Sequence, residues 1–203
     1  MGNTDDLRSY YEEEARIEWR QSPSGRRVEL RDQFLKLLSD EGRRTVVDLG
    51  AGPGGDGQAF TDAGHHYVGL DLAHGNGVLA RRDGLTVLQG SIGAPPFRPG
   101  AFDAGWSMST LMHIPTEQVE ATLAATAKLL QPGAPLLIGL WGGERRDLID
   151  EKKIAGQRRL FSLRPLDLNR KLIATCGTIE FESRWDSKND GEEYQVFRLR
   201  TRP

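Results

Sequence analysis

The stretch Val47-Asp-Leu-Gly-Ala-Gly-Pro-Gly-Gly-Asp56 sets Gly50, Gly52 and Gly54 directly behind a short β-branched run. Glycine is needed where a backbone must take φ > 0 or touch a ligand. A helical pattern follows, so the first amides of that helix would face whatever lies in the crevice. Asp71 ends the next apolar run, about twenty residues further on. A carboxylate there is placed to accept both hydroxyls of a ribose, or simply to cap a helix. Loop and acid at this spacing argue for a bound nucleoside.

Which nucleoside depends on the charge beside the loop. Gly50, Gly52 and Gly55 satisfy G-x-G-x-x-G, the dinucleotide fingerprint. Asp48 argues against that match, because a carboxylate at that place repels a pyrophosphate. It would attract a molecule carrying an ammonium and a sulfonium.

The elements that must hold these residues are legible from periodicity. Residues 4 to 38 read as helical, with Leu7, Tyr10, Tyr11, Ala15 and Trp19 at spacings of three and four. Gln21 to Gly25 interrupts them, and Gly42 ends the second helix. Strands are expected at 45–49, 67–70, 85–89, 102–107 and 135–141. Helices are expected at 58–63, 78–82 and 116–130. Apolar strands alternating with helices imply a parallel sheet covered on both faces. Residues 178–185 and 194–200 are extended runs around a polar spacer with Asn189-Asp-Gly191, and pair most simply as an antiparallel hairpin.

Asp48-Leu-Gly-Ala-Gly-Pro-Gly54 resembles the first motif of class I S-adenosylmethionine-dependent methyltransferases. Gly69-Leu-Asp-Leu72 is similar to their second motif, and Gln89-Gly-Ser-Ile92 sits where their adenine loop belongs. Phe102 to Pro115 looks like the fourth motif, and Leu130-Gln-Pro-Gly133 like the turn before strand five. The resemblance runs in order over roughly residues 45–141. It implies an α/β, Rossmann-like, seven-stranded mostly parallel sheet with a C-terminal antiparallel hairpin and helices on both faces. It implies S-adenosyl-L-methionine as cofactor and methyl transfer as activity. Asp48, Gly50, Ala51, Gly52 and Gly54 would lie along the methionine part. Asp71 would hold the ribose, Leu72 would lie against the adenine, and Ser91 and Ile92 would flank it. Many relatives carry an acid at position 91; the serine is a departure that shifts adenine recognition toward backbone groups and Ile92.

Methyl transfer is an in-line displacement from an activated sulfonium, so the protein supplies mainly alignment and desolvation. A base is needed only where the acceptor arrives protonated. His113, after the fourth strand, is the residue for that role, or else a brace for its loop. Trp106 and Trp141 end strands four and five, where an indole face could meet acceptor or sulfonium, or else pack in the core. The N-terminal helix commonly folds over the cofactor in this family, which brings Tyr10 or Tyr11 to the site. Arg158, Arg159 and Arg164 form a local basic cluster. Ala94-Pro-Pro-Phe97 lacks the leading amide or acid of the tetrad in amino-methylating nucleic-acid enzymes, and precedes the fourth strand instead of following it. No histidine–carboxylate set has metal-ligand spacing; His65 and His66 are expected exposed, on a loop or strand start, and His74 in a glycine-rich loop.

Composition bounds the rest. The chain has 203 residues, 37% hydrophobic and 28% charged, which excludes a disordered chain. Its formal charge of −2 lacks the basic excess of a nucleic-acid binder. Cys176 is the single cysteine, so no internal disulfide forms. The acidic start does not read as a signal peptide, and no apolar stretch is long enough to span a membrane. The expectation is one cytoplasmic domain: a helical lid (1–42), a cofactor-binding core (43–141), and a substrate-side insertion with the hairpin (142–203). The expected acceptor is a small molecule, with no nucleic acid and no membrane. A protein or RNA acceptor, a nicotinamide oxidoreductase and a non-catalytic cofactor binder are the alternatives. The acceptor atom and oligomeric state are left open.

Overall fold

The computed structural model describes residues 3–17, 24–151, 153–187 and 191–202. Trp19 lies outside them, as do Asn189 and Asp190 of the expected turn. Helix α1 spans Asn3–Arg16 and buries Leu7, Tyr10 and Ala15. Helix α2 spans Gly25–Asp40, and its Ser24 cap accepts the Arg27 amide on Oγ at 3.4 Å. Leu30, Phe34 and Leu38 recur every four residues and form its buried stripe. There follow β1 (Thr45–Leu49), α3 (Gly57–Asp62), β2 (His66–Asp71), α4 (His74–Arg82), β3 (Val87–Gln89), β4 (Ala104–Met108), a 3-10 turn (Leu111–His113), α5 (Thr116–Leu129) and β5 (Pro135–Gly143). The chain continues through β6 (Arg146–Asp150), β7 (Arg159–Leu163), α6 (Leu166–Ile173), β8 (Gly177–Asp186) and β9 (Glu192–Thr201).

The main sheet has seven strands in the order β3-β2-β1-β4-β5-β9-β8. Strands β1 to β5 are parallel; β9 runs antiparallel between β5 and β8. The order reverses at β1, whose neighbours are β2 and β4, so a crevice opens at the carboxyl ends there.

Each strand feeds two cores through its period of two. Val47 and Leu49 pack with Val119, Leu123 and Leu129 of α5 and Ile173 of α6. Val46 packs on the other face with Leu30, Phe34 and Leu38 of α2, Phe60 of α3 and Ala80 of α4. Trp106 of β4 joins this second core, with ring centroids 5.6 Å from Phe34 and 5.5 Å from Phe60. Such aromatic pairs contribute about 0.5–1.5 kcal/mol each beyond the area they bury.

Three features depart from the sequence reading. Strands β6 and β7 form a separate antiparallel hairpin between β5 and α6, where only an insertion was expected. His74 opens helix α4 instead of lying in a loop, and His65 is buried beside Phe60. The basic cluster is not a surface patch. Arg159 is buried against Asp150 at 2.8 Å and Arg164 is wholly buried, leaving Arg158 exposed and paired with Glu151.

No helix among the described residues is long and apolar enough to cross a membrane.

Candidate active site

The glycine loop follows β1 into the crevice. Gly50, Gly52 and Gly54 take positive φ angles of 79°, 58° and 84°. A Cβ on Gly50 would also run into the Thr110 side chain, so that position admits no other residue without local rearrangement. Asp71, at the end of β2, is engaged by the chain itself. Its Oδ2 accepts from the Gly52 amide at 2.7 Å. Its Oδ1 accepts from the Ala73 amide and Asn76 Nδ2, both at 2.9 Å. A carboxylate has about four lone-pair sites, so roughly one remains for a ligand unless a chain donor yields. Asp71 thus caps the turn after β2 and latches the glycine loop.

A cavity of about 80 Å³ lies at Asp71. Gly50, Leu72, Ser91 and Ile92 form its floor and walls, and Leu7 and Tyr11 of α1 close it from above. That volume equals two or three waters at about 30 Å³ each. Ligand pockets run to roughly 300–1,000 Å³, so this cavity is small where α1 packs over it. Two of the polar contacts of α1 reach α4 and the 3-10 turn. Glu12 accepts from the amides of His74 at 2.6 Å and Gly75 at 2.8 Å, an anion on the N-terminus of α4. The Tyr11 hydroxyl lies 2.8 Å from His113 Nε2. Glu12→Gln is expected to loosen α1 from α4 and speed S-adenosylhomocysteine dissociation about ten-fold, since bonds to a charged acceptor are worth about 1.5–3 kcal/mol. Stopped-flow competition checks this; an unchanged off-rate would show that Glu12 does not hold α1.

His113 lines the cavity but is tied on both sides. The Leu160 carbonyl, 2.7 Å from Nδ1, can only accept, so Nδ1 carries a proton. Nε2 is then left to accept from Tyr11 in the neutral ring. The geometry makes His113 a brace joining α1, the 3-10 turn and β7.

A second hollow, a groove of about 1100 Å³, lies on the other side of the glycine loop. Ala51, Gly54 and Arg27 form one wall, and Trp141, Trp185 and Tyr194 the other. The Tyr194 ring stacks on Trp185 and meets Trp141 edge-on, each at 5.0 Å. Trp141 continues into a further hollow of about 800 Å³ beneath the β6–β7 hairpin, with Ile149, Lys153 and Phe161.

Three expected site residues, Asp48, Trp106 and Gly52, line neither hollow. Alternation along β1 turns Asp48 to the Val46 face, away from the cavity, where Tyr67 donates to it at 2.9 Å. Trp106 stands opposite Asp48 and shares that face. Its Nε1 donates to Asp56 at 3.0 Å, so its indole is a core element with a satisfied N–H and does not reach a ligand. Gly52 acts through its amide on Asp71. Thr4, Ser109, Thr110 and Gln118 line the cavity without having been singled out. Ser109 and Thr110 directly follow β4, and the position just past a parallel strand's carboxyl end was the available signal.

Burial, and next the charge of Asp56, push the Asp48 carboxyl up to about 7, against the pull of Arg27 and the Tyr67 bond. The folded chain therefore keeps a proton that the unfolded chain, near 3.8, releases. Stability from this group is complete below about pH 4 and is lost as pH rises toward 7. Asp48→Asn is expected to flatten that decline and raise Tm at pH 7.5. Melting curves from pH 5 to 8 check it, and parallel curves for the two proteins would refute it.

The family model described as a methyltransferase domain matches residues 46–133. The chain is 36% identical over 72 residues to the 18S rRNA (guanine-N(7))-methyltransferase of Bos taurus, covering 34% of this chain and 26% of that protein. It is 26% identical over 180 residues to the 18S rRNA (guanine-N(7))-methyltransferase RID2 of Arabidopsis thaliana, covering 79% and 62%. The chain thus spans from about a quarter to about three fifths of the length of these curated relatives. In fold it is similar to geranyl diphosphate C-methyltransferase of Streptomyces coelicolor A3(2), solved with S-adenosyl-L-homocysteine. The TM-score is 0.70 at 13% identity, over 99% of this chain and 98% of that one. The relatives named for ribosomal RNA overturn the expectation of a small-molecule acceptor with no nucleic acid. Net charge sums the whole surface, whereas an acceptor is recognised within one groove, so a value of −2 had no power to exclude RNA. Sheet order, glycine loop and matched segment agree: residues 46–133 are a methyltransferase domain of the class I, S-adenosylmethionine-dependent kind.

Proposed function

We propose that the chain transfers a methyl group from S-adenosylmethionine to a ring nitrogen of an RNA base. The observation that carries this reading is the groove lined by Trp141, Trp185 and Tyr194, set against the glycine loop beside the small cavity. Base-on-ring stacking is worth about 1–3 kcal/mol per base and suits a planar acceptor. The rRNA methyltransferases similar to this chain are named for guanine N7, which arrives with a free lone pair and needs no base. A His113 tied at both ring nitrogens is in keeping with that chemistry.

The cavity residues fit the donor. When bound, S-adenosylmethionine supplies a methyl group already activated by its sulfonium. Asp71 would take the ribose, while Leu72 and Ile92 would flank the adenine. Ser91 is drawn toward its own loop, accepting the Gly93 amide at 3.2 Å, so Ile92 and backbone groups would serve the adenine edge. In this reading residues 1–42 form the lid, 43–141 hold the donor, and 142–203 supply the acceptor side.

Incubation with ribosomal RNA and isotopically labelled S-adenosylmethionine, followed by nucleoside mass spectrometry, tests the proposal. One methylated base is expected, with RNA binding that weakens as salt rises. Labelled donor consumed with no label in RNA would end the RNA reading while leaving the methyltransferase domain untouched.

A further inference from the structure

Ser109 is the one described residue that lines both the donor cavity and the ring-lined groove. It is also the one non-glycine residue among the described residues with positive φ, at 59°. A residue with a Cβ persists in that region only where its surroundings hold it, and such strain collects at functional sites. Here the Ser109 amide is pinned to the Gly139 carbonyl of β5 at 2.7 Å. The Ser109 Oγ and the Tyr194 hydroxyl lie 3.0 Å apart and share one hydrogen bond.

Tyr194 reaches that point because β5 leaves room for it. A Cβ on Gly139 would come within 2.8 Å of the Tyr194 hydroxyl and 2.6 Å of Met108 Sδ. Trp141 and Trp185 clamp the ring from either side. Four strands, β4, β5, β8 and β9, therefore converge to set two neutral hydroxyls at the passage between donor and groove. Burial pushes the Tyr194 phenol up, so it stays protonated at neutral pH.

We propose that Ser109 and Tyr194 form a hydroxyl pair that seats the acceptor base at this passage, a reading that rests on the proposed RNA methylation. One hydroxyl hydrogen lies between the two oxygens. The other remains to donate to a carbonyl oxygen beside the attacking nitrogen. Guanine presents that arrangement, with O6 and N7 as adjacent acceptors on one edge. Both residues are positioning residues: they orient the attacking atom, and the displacement needs no proton from either.

Ser109→Gly and Tyr194→Phe test the pair, with guanine-containing RNA as substrate. Ser109→Gly relieves the strained backbone, so Tm is expected to rise while kcat falls about ten-fold, the scale of one aligning hydrogen bond. S-adenosylhomocysteine affinity, measured by calorimetry, should stay within about three-fold, because the lost hydroxyl aligns the acceptor rather than the donor. Tyr194→Phe should lower kcat similarly, and the double variant no further, because the two act as one unit. A glycine variant that gains stability and loses turnover is not what a purely structural serine would produce. If wild type methylates RNA and either variant keeps wild-type kcat and KM, the pair is overturned while the RNA reading stands. If wild type leaves RNA unmethylated, the RNA reading falls and takes the pair with it.

Discussion

Asp71→Ala is expected to weaken S-adenosylhomocysteine binding by about ten-fold or more. A hydrogen bond to a charged acceptor is worth about 1.5–3 kcal/mol. Loss of one contact at the site left open then comes to about 1.5–3 kcal/mol, or roughly 10- to 200-fold in affinity. The structure adds a second source of loss. The amides of Gly52 and Ala73 and the Asn76 side chain all converge on this carboxylate, so its removal frees the glycine loop as well. The two sources separate in Asp71→Asn. That residue keeps one oxygen for Ala73 and Asn76 but presents an N–H₂ where Gly52 donates, so its Tm without ligand should fall with that of the alanine variant. Calorimetric titration of all three proteins, alongside their melting curves, gives the answer. Unimpaired binding by the alanine variant would take Asp71 out of the sugar site.

Asp56→Ala is expected to cost the most stability. Asp56 closes the glycine loop and is fully buried. Arg27 donates to it from Nε at 2.7 Å, with Nη2 2.6 Å from the same oxygen. Arg31 approaches at 3.5 Å and the Trp106 indole donates at 3.0 Å. Removing one member of such a buried pair leaves an uncompensated charge and costs about 3–5 kcal/mol. For a chain of this length that lowers Tm by roughly 6–20 °C. Trp106 loses its partner at the same time, so a change in tryptophan emission should accompany the drop. Asp56→Asn retains an acceptor for the indole and should recover the emission but only part of the Tm. A melting point unmoved by the alanine change would show that water replaces the carboxylate, and that Arg27 is not committed to it.

These two carboxylates differ in how far the sequence disclosed them. Asp71 was legible because it ends an apolar run at a fixed distance from a glycine loop, and both facts are local. Asp56 closes the same loop, yet its partners lie 25, 29 and 50 positions away. Nothing near it in sequence announces a charge cluster. Trp106 shows the same limit from the other side. Its place at the end of a strand suggested a ligand contact, and period-two alternation against Met108 was the available counter-signal. Both residues belong to the face that packs on α2 and α3.

Arg159 and Arg164 illustrate a further kind of illegibility. In sequence they sit with Arg158 as a basic patch. In the fold, Arg164 turns inward and donates to the carbonyls of Leu111 and Ile114, bracing the turn that carries His113. Burial lowers its guanidinium to about 10, still charged at neutral pH. The β6–β7 hairpin that redirects these arginines is short, carries no sharp alternation, and rests on α1 and the 3-10 turn. Its existence depends on partners that are remote along the chain.

The order of strands and helices through β5 and the closing hairpin, the φ > 0 demands of the glycine loop and the acid behind it were determined by the sequence alone, because hydrophobic period and backbone sterics act over a few neighbouring residues. Which face each strand residue serves, the small cavity under α1, the ring-lined groove and the meeting of Ser109 with Tyr194 were decided only by tertiary structure. Those arise where segments distant along the chain compete for the same buried space, and no local pattern encodes that outcome.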